Sequence, residues 1–512
     1  MKKRVVVIAL ALLFVAAAAF FAYERSDERL KAMLNDYEQK IESAETQIRE
    51  QQSNLAWLEQ KMAQAESERE KLSAEIEKKN EELESMGQQP AEEISKLLEE
   101  LHQYEGKIEA IRGEQANAEA DLSALRETVT SLQNEVSEAA KSSIPYGVKK
   151  EAERVVNEAL SHEGTRVFRF LVSSDAHQNN DNKLITRSTI ELGQAQAEIL
   201  SLIGVDFVAT LGDIAWGGDD DTAEEVKEQI IAYKRYTGYS LLGQTQLWCE
   251  GNHDDAVYSL KTYPENPKLS SSDTYGLLYS KNSEVVYDPE HYMEGYCYKD
   301  FPNQKVRVIC LNTEQGTGDG AVMEEHQLKW FAEEALDMSG KSDWSVITIA
   351  HHPLDYGMAS LFKDAVNIVD AFIKGESRVY TTSVGKTGIN LDFNGKNCQY
   401  VGHFHGHTHG FSVVQMQKYT GKADNPYEKI DAWQLGIPNA CYLRNNAQLT
   451  NTNPVANRFS TPVTYNKEDA DGKRTSFNLV TICLDQNKIY LDNYGAGIDR
   501  EVSYFEFTPA AN

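Results

Sequence analysis

The sequence predicts a layered α/β domain preceded by a long α-helical coiled coil. Three observations carry this expectation. Apolar strand-like runs alternate with helical segments after about residue 165. Short polar blocks stand where several of those runs end, which is where loops of an α/β sheet converge on a crevice. Before residue 141, apolar residues recur with 3-4 spacing in a stretch nearly devoid of Gly and Pro, the mark of a heptad seam.

In chain order, Lys2, Lys3 and Arg4 precede an uncharged apolar run from Val5 to Tyr23. Its length is closer to the roughly 20 residues of a spanning helix than to a short signal h-region, which favours an uncleaved anchor over residues 1–25. A signal peptide cleaved near Ala16–Ala19 is the alternative. Either way the basic residues stay in the cytoplasm and the remainder is extracytoplasmic, membrane-anchored or secreted.

Residues 26–141 follow as the coiled coil. Leu30, Leu34, Tyr37, Ile41, Leu55, Leu58, Met62, Ala65, Leu72 and Ile76 form a first seam, and Ile94, Leu97, Leu101, Ile108, Leu122, Leu125 and Val129 a second. Gly87 and Pro90 interrupt them, favouring a hairpin that turns near 87–90 over one continuous parallel dimer. Homo-oligomerisation through this region is a further expectation.

Ser142, Ser143, Pro145 and Gly147 mark a linker, and an amphipathic helix from Val148 to Ser161 completes a lead-in over 142–164. Strands are then expected at Phe168–Val172, Phe207–Leu211, Thr245–Cys249, Val306–Leu311, Val346–Ala350 and Gln399–Val401, with helices at Thr222–Tyr236 and Glu324–Ala335. The tail should end in antiparallel strands at Phe477–Leu484, Lys488–Tyr494 and Arg500–Phe507. A domain over 165–512 is long enough to bury a large core.

The net charge of -28 speaks against stable nucleic-acid binding, which needs clustered Lys and Arg. The six cysteines lack any Cys-X-X-Cys spacing, and several sit in apolar runs. They read as buried thiols rather than disulfides or a zinc knuckle.

The polar blocks are Asp175-Ala176-His177, Gly212-Asp213, Gly251-Asn252-His253-Asp254, His351-His352-Pro353 and Gly406-His407-Thr408-His409. Each is weak evidence alone; their order is the signal. Asp, His and Asn without Cys suit Mn, Fe, Zn or Co rather than thiolate-bound ions. Two divalent ions against Asp175 and Asp213 leave a site of about plus two, attractive to a phosphate ester. His253 has the chemistry of a general acid for the leaving oxygen, and Asp254, its neighbour, is the group expected to orient it.

In this order the blocks resemble the calcineurin-like metallophosphoesterases over about residues 165–510. The resemblance implies a layered β-sandwich flanked by helices and metal-dependent hydrolysis of phosphate mono- or diesters. It implies a first metal on Asp175, His177, Asp213 and His409 and a second on Asp213, Asn252, His351 and His407. Asp213 would then bridge, a hydroxide activated by both metals would attack phosphorus, and His253 would protonate the leaving group. Two assignments stay open here: His403 and His405 form a competing Gly-His-X-His, and His352 competes with His351. His102, His162 and His326 read as solvated, and Asp219–Asp221 as an acidic helix start. The rival expectation is a coiled-coil scaffold or assembly protein whose phosphoesterase domain only binds ligands.

Overall fold

The computed structural model describes residues 53–81, 92–142 and 144–503, apart from 242, 259–267, 316–320, 356–360, 386–387, 421–426, 442–466 and 498, together with six helical positions between 39 and 51. The run Val5–Tyr23 and the turn expected near 87–90 lie outside the described residues. Among the described residues no helix is long and apolar enough to cross a membrane. The chain divides into two compact units, Met1–Ala139 and Ala140–Asn512.

The first unit holds α1 (residues 53–81) and α2 (Glu92–Ser142). Leu58 and Ala65 of α1 and Ile108 and Leu122 of α2, all seam positions, are buried. Arg112 lies 3.8 Å from Glu66, and Tyr104 acts on Lys71. Partners therefore descend along α2 as they ascend along α1, so the two helices pair antiparallel.

The second unit continues with α3 (Tyr146–Ser161), β1 (Val167–Ser173), α4 (Lys183–Leu202), β2 (Phe207–Leu211), α5 (Ala223–Thr237), β3 (Gln246–Cys249), α6 (Ser271–Leu277), β4 (Val286–Tyr287), β5 (Cys297–Phe301), β6 (Val306–Cys310) and α7 (Glu325–Trp330). Then come β7 (Trp344–Ala350), α8 (Phe362–Lys374), β8 (Ser377–Thr381), β9 (Gly388–Asp392), β10 (Cys398–His405), β11 (Ser412–Tyr419), β12 (Tyr427–Gly436), β13 (Ser476–Cys483), β14 (Lys488–Gly495) and β15 (Arg500–Ser503).

Two mixed sheets stack face to face. One has the order β15-β14-β13-β1-β2-β3 and the other β11-β12-β10-β7-β6-β5-β4, while β8 and β9 form a separate hairpin. β1, β2 and β3 are parallel, as are β6, β7, β10 and β12. β2 and β6 are buried at every position, Thr210 and Arg307 included, as strands covered on both faces are.

Between the sheets lies an aromatic core. Phe170 stacks on Phe207 at 4.5 Å and meets Phe404 of the facing sheet edge-on at 5.1 Å. On the outer faces, α3, α4 and α5 cover the first sheet, and α7 and α8 the second. The result is a β-sandwich flanked by helices, as expected. α3 is more than a lead-in: Val148, Ala152, Val155 and Ala159 are fully buried, and the helix packs on α4, β13 and β14. The six cysteines are free, five of them buried.

Candidate metal centre

Every block follows a strand. Asp175 and His177 leave β1, Asp213 leaves β2, Asn252 and His253 leave β3, His351 leaves β7, and His407 and His409 leave β10. Parallel strands end on the same side, so five loops from two sheets meet at one rim of the sandwich.

The backbone there is unusual. Asp175, His177, Asp213, His407 and His409 all have φ between 44° and 63°, left-handed conformations that cost non-glycine residues on the order of 1–3 kcal/mol each and gather at functional sites. Hydrogen bonds between the loops hold them. Asp175 N–H donates to the Gly212 carbonyl and His177 N–H to that of Asp213. His407 N–H donates to the Asp175 carboxylate at 3.1 Å, and His253 N–H to Asp213 Oδ1 at 3.0 Å.

Two donor clusters result. Asp175, His177, Asp213 and His409 bring one ligand atom each within 4.8 Å of one another. Asn252 Oδ1 lies 3.0 Å from His351 Nε2 and 2.9 Å from His407 Nδ1, forming the second group. Asp213 Oδ2 stands 3.6 Å from His177 Nε2 and 3.3 Å from His351 Nε2, between the two. His351 Nδ1 donates to the Leu211 carbonyl at 2.8 Å, leaving Nε2 as its lone-pair nitrogen.

Cations fit this arrangement on its own terms. His177 Nε2 and His409 Nε2 face each other at 2.9 Å, and His177 Nδ1 is buried with no hydrogen-bond partner among the described residues. Burial pushes the His177 imidazole down to about 3, despite the pull of Asp213. Burial, then His352 and His351, hold His407 well below the usual imidazole range, so both present neutral nitrogen. For Asp175, burial is outweighed by His409 and its other neighbours, and the carboxyl sits at about 2. Carboxylates, the neutral imidazoles of His177 and His407 and an amide oxygen converging in a buried space are a divalent-ion donor set.

A family model described as "Calcineurin-like phosphoesterase" matches residues 168–411. The chain carries a calcineurin-like phosphoesterase domain. The match covers just under half of the chain, and the layered sheets with flanking helices are consistent with the metallophosphoesterase fold. Among solved structures, that of the Haemophilus influenzae NAD nucleotidase matches at 10% identity and a TM-score of 0.28, covering 63% of this chain and 48% of that one. This chain thus spans about half the length of that nucleotidase. No curated protein matches the chain.

The competing histidines stand differently around the centre, although a ligand atom of His352 lies within 4.8 Å of ligand atoms of His351 and His407. His403 points away from it, with Nδ1 on Thr348 and Nε2 near the His352 carbonyl. His405 is fully buried at the end of β10 and hydrogen-bonds the Gly406 carbonyl. His407 and His409, beyond the turn, are the pair that reaches the donor clusters. His351 faces Asn252 and Asp213, whereas His352 Nδ1 is held by Glu314 at 2.6 Å and its ring lies 3.8 Å from that of His407.

Asp254 has a different task from the one expected. Its carboxylate accepts from the backbone N–H groups of Ile214, Ala215 and Gly251, clamping the Asp213 loop to the Asn252 loop. Adjacency in sequence misled, because consecutive residues in this turn diverge. His253 is oriented instead by the Trp216 carbonyl, 2.5 Å from Nδ1, and its ring lies between Tyr258 at 4.6 Å and His177 at 4.7 Å.

Sequence reasoning missed the support beneath Asp175. Ala440 and Cys441 donate backbone hydrogen bonds to the carbonyls of Ser174 and Asp175, and buried Lys467 ties that segment through Asn439 and the Cys441 carbonyl. These residues lie too far along the chain for any local signal. His162 is not solvated but stacks on Tyr490 and bonds Asp492 at 2.8 Å.

Proposed function

We propose that this chain is an extracytoplasmic hydrolase of phosphate mono- or diesters. Its N-terminal segment would serve as membrane anchor and its helical region as a coiled-coil stalk. The observation that carries the catalytic part is Asp213, whose carboxylate stands between two donor clusters in one buried space. In this reading Asp175, His177, Asp213 and His409 hold one divalent ion, and Asp213, Asn252, His351 and His407 the other. When bound, such ions supply Lewis acidity and make coordinated water a nucleophile at neutral pH.

The chain's own residues do the rest. The Leu211 carbonyl fixes the His351 tautomer, and the Asp175 carboxylate fixes the turn that carries His407. His253, with Nδ1–H given to Trp216, keeps Nε2 for a proton that it delivers to the departing oxygen. The acidic surface disfavours a polyanionic partner and leaves the centre as the place for a phosphoryl group.

Turnover of aryl phosphomonoesters and phosphodiesters is measured with Mn²⁺, Zn²⁺ or Co²⁺ on the full chain and on Asp213→Ala. Metal-dependent hydrolysis that the substitution removes is expected. No turnover above the uncatalysed background in either protein with any of these ions would favour the scaffold reading, in which the domain only binds ligands.

A further inference from the structure

A polar cavity of about 300 Å³ adjoins the centre. Its lining includes Glu250, Asp255, Glu314, Glu294, Gln315 and His326. Glu314 links it to the centre through His352. Glu294 and His326 belong to a separate cluster, completed by His291.

One ligand atom from each of His291, Glu294 and His326 lies within 4.8 Å of the other two. His326 Nε2 is 2.7 Å from Glu294 Oε2, and the two imidazoles stack at 4.0 Å with 16° between their planes. His291 Nδ1 donates to Asp288 Oδ2 at 3.0 Å, and that oxygen also accepts from the Tyr296 hydroxyl at 2.7 Å. A carboxylate that is itself held fixed, bound to one imidazole nitrogen, is the usual support for a metal-ligating histidine. It leaves His291 Nε2 as a lone-pair donor. The three side chains are 31%, 27% and 31% exposed, open enough for a hydrated ion to reach them. The hydrogen bond to Glu294, against some burial, holds the His326 imidazole above its usual range, and Glu324 and Asp288 add to that negative field.

We propose that His291, Glu294 and His326 form a mononuclear divalent transition-metal site, distinct from the centre at Asp213. Two imidazoles and one carboxylate are the three-protein-ligand set of an open zinc site, with a remaining position for water or an anion. The nitrogen donors select zinc, cobalt or nickel over calcium and magnesium. The site's open position would lie at the cavity that Glu294 and His326 line.

The test is metal counting on the full-length chain. After loading with Zn²⁺ and removal of excess ion by gel filtration, the wild type is expected to hold one more zinc per chain than His326→Gln or Glu294→Gln. Asp288→Asn, which alters no ligand, should weaken zinc binding at this site by roughly 10–100-fold. In an Asp213→Ala background, Co²⁺ should still give a d–d absorption spectrum that adding His326→Gln removes, so loss of the other centre does not decide the result. Equal zinc content in wild type and both single variants, at matched far-UV circular dichroism, overturns the site, as does a cobalt spectrum in the Asp213→Ala background that ignores His326→Gln.

Discussion

The ring of His253 is held by the Trp216 carbonyl at Nδ1, by Tyr258 stacked on it and by His177 in an edge-to-face contact, so in the proposed reaction it would reach a departing oxygen without searching for its rotamer. General-acid assistance is worth about 10²–10⁴ in rate, and its value grows as the leaving group becomes more basic. His253→Gln should therefore lower kcat strongly for alkyl esters and much less for nitrophenyl esters. A plot of log kcat against leaving-group pKa checks this, and an equal loss for all esters would remove the proton-donor role. Lys467 offers a second test. Its ammonium meets three oxygens, Asn439 O and Oδ1 and Cys441 O, and burial pushes its pKa from 10.5 down to about 7. Between those values the unfolded chain keeps a proton that the folded one releases, so this group makes stability rise with pH from about 7 to 10.5 and contributes no slope below about 7. Lys467→Met should flatten that part of the Tm-against-pH curve. It should also cost about 1–3 kcal/mol by stranding buried carbonyls. The ligand residues were legible in sequence because each ends an apolar run, and a turn after β10 favoured His407 and His409. Asp254, Trp216 and Lys467 were not, since their partners are set by three-dimensional packing. His326 looked like a solvated helix residue because Glu294 approaches it from another loop.

Elements matter at this rim through how closely their loops approach. Gly406 ends β10 where a Cβ would run into Ser174 Oγ and Asp175 Oδ2, so the turn carrying His407 depends on a missing side chain. Gly406→Ala is expected to leave the sandwich folded while reducing metal affinity at least about 10-fold, the lower end for disturbing a ligand's support. Isothermal titration with Mn²⁺ reads this out, and unchanged affinity would show that the turn relaxes freely. The parallel strands were legible as short, mainly apolar runs, and α5 through its capping box at Thr222 and Glu225. α7 carries the expected helix only to Trp330, after which the chain widens into a π turn over Phe331–Ala335. β11 and β12 escaped the sequence reading. β12 is partly exposed at its start and pairs parallel with β10 across β11 in the chain, an arrangement that no local pattern announces.

For the molecule as a whole, the ligand set is divided between the two sheets. Asp175, His177, Asp213 and Asn252 come from one, and His351, His407 and His409 from the other. Bound ions would thus cross-link the sandwich at one end, in addition to the aromatic core that fills its interior. Chelation should lower Tm, because each ion present at 100 times its dissociation constant stabilises the fold by about 2.7 kcal/mol. Differential scanning calorimetry with and without EDTA measures this, and a Tm indifferent to chelator would mean the sheets are locked without metal.

The pairing of β1 with β13, Val167 opposite Cys483, also dictates when the protein becomes a protein. β1 sits inside its sheet, yet its antiparallel neighbour follows every other strand of the two sheets except β14 and β15. Until Ser476–Cys483 emerges, β1 offers a bare, apolar hydrogen-bonding edge, and sequence separation of this size makes closure slow. A nascent chain stalled before β13 is therefore a substrate for chaperones and proteases, and a C-terminal truncation that removes β13 is more damaging than its length suggests.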